Sequence, residues 1–200
     1  MPIRGPKVKV SRALGLAITP KAAKVMERRS FSPGQHGTAR KRSPSVYKTQ
    51  LVEKQRLKFT YNLSEKQLRK LYKKAAHAHE ATGEGLMALL ECRLDAAVLR
   101  LGFAKTCYAA RQYCAHGHFE VNGNRCFNGS MHIKIGDVIT VREKSLTHPQ
   151  ITESCENAPT VPNYWEADHK KKSGKLVAHP ERDQIPVQLQ DQLVVEFYSR

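Results

Sequence analysis

Acidic residues are nearly missing from the amino-terminal part of this 200-residue chain: residues 1–74 hold three, Glu27, Glu53 and Glu65, against 20 Lys and Arg, a formal charge of +17. Residues 75–200 carry 14 basic and 15 acidic side chains, a charge of −1. A merely soluble protein would spread its charges, whereas this concentration of one sign is the footprint of a polyanionic partner. Cysteine is absent before Cys92, and the five present, Cys92, Cys107, Cys114, Cys126 and Cys155, are odd in number and lack short paired spacings. That argues against a disulfide framework or a thiolate zinc site and for free, buried thiols in a reducing compartment. No run approaches the roughly 18 to 20 apolar residues of a membrane span. The start, Met1-Pro2-Ile3-Arg4-Gly5-Pro6-Lys7, lacks the apolar core of a signal peptide, so a cytoplasmic protein is expected. Binding to a lipid surface is not expected either, because the basic residues fall in Pro- and Gly-punctuated segments and on helices without a strong aromatic face.

Catalytic motifs are missing too. Gly83-Glu84-Gly85 with Ala88 superficially fits a dinucleotide fingerprint, but a Lys-rich helix precedes it where a buried strand is required. Gly174-Lys175 has neither the upstream glycine loop nor the following Ser or Thr of a phosphate-binding loop, and Ser130 lacks nucleophile-elbow spacing. His116 and His118, two residues apart with no third ligand nearby, do not make a metal site. No enzyme activity, cofactor, metal or small-molecule substrate is expected.

What is present is organised in three parts. Residues 1–44 contain five prolines, four glycines, one aromatic (Phe31), eleven basic residues and one acidic one. They are expected to be a basic extended arm, ordered mainly where it lies against RNA. Residues 45–62 read as a helix whose basic face is Lys48, Lys54, Arg56 and Lys58, with Tyr47, Leu51 and Leu57 as packing residues. Ser64 and Gln67 form a capping box, and Leu63 can staple against Leu68. In that second helix Leu68, Leu71, Tyr72 and Ala75 are the apolar stripe, and Lys66, Arg69, Lys70, Lys73 and Lys74 cover the rest. Thr82-Gly83-Glu84-Gly85 reads as a break. From Arg93 to Val141 the pattern is helix, helix, hairpin. Leu94, Val98 and Leu101 recur at helical spacing, Gly102 stops that helix, Thr106 caps the next and Gly117 ends it. Phe119 and Val121 alternate with Glu120 into Asn122-Gly123, a hairpin turn, and Gly136-Asp137 leads into a second alternating run over residues 138–142. Residues 145–186, with five prolines, read as loops with short elements, and Leu193–Tyr198 as an apolar run that returns to the first domain.

Arg93-Leu94-Asp95, Arg100-Leu101-Gly102-Phe103-Ala104, Ala110-Arg111-Gln112, His116-Gly117-His118, Val121-Asn122-Gly123 and Gly136-Asp137, in that order, closely resemble the S4 RNA-binding domain. Ser32-Pro33-Gly34-Gln35-His36-Gly37, residues 51–58 (LVEKQRLK) and the closing residues 193–200 (LVVEFYSR) resemble the bacterial-type family of small-subunit ribosomal protein four, nearly end to end. The fold this implies is α+β: a basic, mainly helical domain (45–91, with the returning segment 177–200) after the arm, and an inserted S4-type domain (92–176) with a small antiparallel sheet. Some members bind zinc through amino-terminal cysteines, which this chain lacks, so zinc is not carried over.

The expected RNA-binding residues follow. Arg4, Lys7, Arg12, Arg28, Arg29, Arg40, Lys41 and Arg42 in the arm, Lys54, Lys58, Lys66, Arg69, Lys70 and Lys73 on the helices, and Arg93, Arg100, Lys105 and Arg111 neutralise phosphates. Arg93 and Arg111 can do so bidentately. Gln35, Gln50, Gln55, Gln112 and Asn122 add hydrogen bonds to sugars or bases, beside His36. Gly34 and Gly37 allow close backbone approach to phosphates, and Tyr47 can stack, although core packing suits it better. The resemblance makes the turn His116, Gly117, His118, Asn122 and Gly123 part of the RNA surface. It further implies a structural ribosomal protein that binds the 5′ domain of small-subunit rRNA, nucleates assembly, borders the mRNA entry channel beside ribosomal proteins three and five, and supports decoding accuracy. The alternatives are a stand-alone RNA-binding translational regulator or ribosome-rescue factor, and an RNA-modifying enzyme. The segment after Ser145 is too short and irregular to hold that enzyme's catalytic domain.

Overall fold

The computed structural model describes residues 5–39, 43–78 and 81–200. The expected site residues Arg4, Arg40, Lys41 and Arg42 lie outside them. The chain is α+β and divides into two compact units, Met1–His77 with Gln188–Arg200, and Ala78–Val187.

The first unit is helical. α1 (Lys7–Leu14) ends where Gly15 turns left-handed at φ 65°, and α2 (Pro20–Arg28) starts on Thr19, whose Oγ1 accepts the Ala22 N–H at 3.2 Å. The two helices pack on each other and α1 touches α3 (Val46–Thr60), so the expected extended arm is instead a helical pair. Its physical basis is modest: Leu14 and Ala22 are buried between the helices, and Thr19-Pro20 is a good start signal. α4 (Glu65–Ala76) has both hydrogen bonds of the capping box, Gln67 N–H to Ser64 Oγ at 3.3 Å and Ser64 N–H to Gln67 Oε1 at 3.1 Å. Leu57, Leu63 and Leu68 are almost wholly buried, each stabilising the unit by about 1.5–3 kcal/mol. The returning segment forms α9 (Asp191–Tyr198), which packs along α3 and reaches α4. The seam between α3 and α9 is polar. Gln50 donates to Glu196 at 2.8 Å, and Lys54 is inserted between Glu65 at 3.0 Å and the Phe197 ring at 4.7 Å.

The second unit begins with α5 (Thr82–Glu91). The glycine-rich segment expected as a break is the first turn of this helix, with Gly85 buried. Two further helices, α6 (Leu94–Arg100) and α7 (Cys107–His116), pack together, α7 starting on the Thr106 hydroxyl and stopping at Gly117, φ 69°. Strands β1 (Phe119–Val121), β2 (Asn124–Cys126) and β3 (Val138–Val141) are followed by α8 (Pro149–Glu156) and by β4 (Trp165–Asp168) and β5 (Ser173–Leu176). All pairings are antiparallel, in the order β2-β1-β3-β5-β4. The register places Phe119 opposite Val141 and Val121 opposite Ile139, and all four are buried. Phe103 stacks on Phe119 with ring centroids 6.0 Å apart. A Cβ on Gly174 would meet the Leu101 side chain at 2.4 Å, so glycine is what lets β5 approach α6. Contacts place α5 in this second unit, whereas the sequence assigned it to the first.

Candidate nucleic-acid interface

The first unit carries 21 basic and 5 acidic residues, a formal charge of +16. Three of its five carboxylates are occupied internally. Glu53 binds Arg56 at 2.5 Å, Glu65 takes Lys54, Lys58 (3.3 Å) and the Tyr198 hydroxyl (2.7 Å), and Glu196 accepts from Gln50. The positive surface is therefore not cancelled by its neighbours. On α4 the spacing Lys66, Arg69, Lys70, Lys73 sets four exposed cations along one face, opposite the buried Leu68 and Ala75. Lys21, Lys24 and Arg28 are exposed on α2, and none of these seven makes an ion pair among the described residues. Lys21, Lys24 and Lys74 were not among the expected site residues. The signal for them was the phase of their helices.

Other expected residues fall differently. Lys7, Arg29, Gln35, His36 and Tyr47 are exposed, and Gln55 and Lys58 half-buried. Gln50 and Lys54 are corrections: each is 3–4% exposed, because α9 covers that side of α3 and turns its polar side chains into an internal seam. Arg12 is occupied as well. Its Nε and Nη2 donate to the Phe31 carbonyl at 3.2 and 3.0 Å, and its guanidinium lies 4.9 Å from the Phe31 ring. Gly37 is buried, and a Cβ there would come within 2.0 Å of the Ser32 carbonyl oxygen, so its missing side chain serves that carbonyl and not a phosphate. Gly34, at φ 101° with nothing near it, forms the open tip of the turn with Gln35 and His36.

The second unit is electrically balanced, with 13 basic and 13 acidic residues. The expectation that Arg93, Arg100, Lys105, Arg111, Gln112, His116, His118 and Asn122 form one RNA-facing surface needs correcting. Arg93 is buried, bidentate to Asp95 at 3.0 and 2.6 Å and bonded to Ser130. Arg100 is bidentate to Glu91 at 2.9 and 2.6 Å, and Glu91 also accepts from the Tyr164 hydroxyl at 3.1 Å. Asn122 closes the hairpin, donating to Asp137 at 2.8 Å and accepting the Val138 N–H at 2.9 Å. Lys105 pairs with Glu153. Gln112, His116 and Gly123 are exposed and Arg111 half-exposed. Gly117 is buried as the helix stop, and its carbonyl takes the Arg125 Nε at 3.1 Å. His118 contacts Ser145 Oγ through Nδ1 at 2.9 Å. Burial, with His148, His116 and Arg125 nearby, holds its imidazole below the ordinary value. At neutral pH it is an uncharged hydrogen-bonding group rather than a phosphate counterion. Burial also pushes the Cys114 thiol well up, which makes it inert. Among the described residues no group of three or more His, Cys, Asp or Glu is placed to hold a metal, and no helix is long and apolar enough to cross a membrane.

Comparison with known proteins divides the chain after residue 91, which leaves α5 with the first part. Residues 2–91 match the family described as ribosomal protein S4/S9 N-terminal domain, and residues 92–139 match the S4 domain. The chain is 47% identical to small ribosomal subunit protein uS4 of Streptomyces avermitilis over 199 residues, covering 98% of this chain and 97% of that one. It is 47% identical to the same protein of Streptomyces coelicolor (98% and 97% covered) and 43% identical to that of Chlorobium limicola (98% of each).

Proposed function

The chain belongs to the uS4 family of small ribosomal subunit proteins, and we propose that it is a structural constituent of the small subunit that binds the 5′ domain of its rRNA. The observation that carries this reading is the first unit's charge of +16, with seven exposed, unpaired cations on α2 and α4 among the described residues and three of its five carboxylates bound by groups of the same unit. Cations in that arrangement displace counterions from phosphates. A-form RNA hides its base edges in a narrow major groove, so recognition rests on shape, phosphates and 2′-hydroxyls. Lys66, Arg69, Lys70 and Lys73, with Lys7, Arg28, Arg29, Gln35 and His36, are the contacts proposed for the first unit. Arg111, Gln112, His116 and Gly123 are those proposed for the second. The resemblance extends the proposal to nucleation of assembly, to a place beside the mRNA entry channel next to ribosomal proteins three and five, and to decoding accuracy. The balanced second unit is the side offered to protein five. Such a protein works in the cytoplasm, on the ribosome.

The test is binding of the purified protein to the 5′ domain of small-subunit rRNA against an unrelated structured RNA of equal length. Saturation at one protein per RNA, with a preference of ~100-fold or more for the cognate RNA, is expected. Equal binding to both would sink the rRNA assignment and favour a stand-alone RNA-binding regulator or rescue factor.

A further inference from the structure

Because the second unit is electrically neutral overall, counterion release adds less to its grip on RNA than to the first unit's, and contacts of other chemistry weigh more there. Most of its large aromatics, Phe103, Phe119, Tyr164 and Trp165 among them, are buried. Phe127, just after β2, is 55% exposed. A single exposed apolar residue is ordinary, but this one is mounted. The Arg125 guanidinium lies 4.3 Å from the ring centroid. That guanidinium is itself clamped, donating from Nε to the Gly117 carbonyl at 3.1 Å and from Nη2 to the His116 carbonyl at 3.2 Å, so it closes the end of α7. Gly117 makes the room: a Cβ there would stand 2.6 Å from both Arg125 Nε and Phe127 Cε1. Helix end, cation and ring therefore form one fixed stack. The ring has the cation over it and lies against Gly117, yet more than half of the residue's surface stays in solvent.

A rigid aromatic face backed by a cation is suited to an unpaired nucleobase, since every base offers a π-face and loses water readily on stacking. We propose that Phe127, with Arg125 behind it, is a stacking platform for one unpaired RNA base. This rests on the reading that the chain binds structured rRNA.

The experiment uses the full chain as wild type, Phe127→Ala and Phe127→Trp, with the rRNA 5′ domain titrated at several salt concentrations. Phe127→Ala should weaken binding by about five- to hundred-fold with its salt dependence unchanged, because stacking and no phosphate contact is lost, while Phe127→Trp stays near wild type. Phe127→Ala that melts and binds like wild type overturns the platform. A second readout is independent of the rRNA assignment: an oligoadenylate of ten nucleotides added to Phe127→Trp should quench indole fluorescence beyond the change seen for Trp165 in the wild type. If the wild type does not prefer the rRNA fragment, the ribosomal reading fails. The oligoadenylate result then decides the platform alone, quenching upholding it and no quenching overturning it.

Discussion

Glu91 is fully buried, and it is tolerated there because Arg100 grips both its oxygens and Tyr164 donates its hydroxyl to one of them. Burial and the Glu91 charge in turn push the Tyr164 phenol far above its ordinary range. Removing one partner of such a pair strands the other charge in the interior. Glu91→Gln is therefore expected to cost about 3–5 kcal/mol, and Tyr164→Phe, which leaves the ion pair intact, about 1–2 kcal/mol. Urea unfolding midpoints with unchanged slopes would show this, and a Glu91→Gln loss below about 1 kcal/mol would refute the buried-pair account. At this scale the sequence is least legible. Arg93, Arg100 and Lys54 are cations in a basic chain, and nothing in their local pattern reveals that Asp95, Glu91 and Glu65 neutralise them inside the fold.

Single elements show which signals are local. The capping box of α4, the Thr106 start and Gly117 stop of α7, and the Asn122-Gly123 turn (φ 51° and 78°) rest on side chains acting within a few residues, and the sequence predicts each correctly. α9 is legible as an apolar run that returns to the first domain but not as a helix, because its helical state depends on α3 and α4. β4 and β5 lie in the segment read as loops with short elements and are not individually legible there, since four-residue strands with a glycine at 174 and prolines around them give no period. α9 is also the element with a pH-sensitive tie. Burial alone would raise the Glu65 carboxyl, but the Tyr198 hydrogen bond and the cations Lys54 and Lys58 outweigh it and hold the carboxyl below its ordinary 4.5. A depressed carboxyl stabilises the fold above its unfolded value, and that contribution is lost as pH falls through the folded value. The thermal midpoint of the wild type should exceed that of Glu65→Gln near neutrality and converge on it below about pH 4.5. A gap that stays constant across that range would rule the tie out.

For the molecule as a whole, the division of labour is electrostatic: one unit at +16 and one at zero. Replacing Lys66, Arg69, Lys70 and Lys73 together by Gln should flatten the dependence of log affinity on log salt by roughly three to four, at about one unit per phosphate contact. Replacing four exposed lysines of the second unit, Lys134, Lys144, Lys170 and Lys175, should change it by less than about one. Equal flattening by both sets would mean that the neutral unit also binds by charge. This partition was legible from composition alone, because net charge survives any error in placing individual side chains.

The first unit is also interrupted in sequence, its α3 completed by α9 only after the roughly 110 residues of the second unit have been made. At about 5–20 residues per second, α3 waits roughly 7 to 28 s during synthesis before α9 is complete. Gln50 lacks its Glu196 partner and Lys54 its Phe197 ring throughout that interval. The nascent chain thus carries the cations of α2 and α4 before α9 can cover α3, while the second unit already has every residue it needs. Order of manufacture completes the half without net charge before the strongly cationic one.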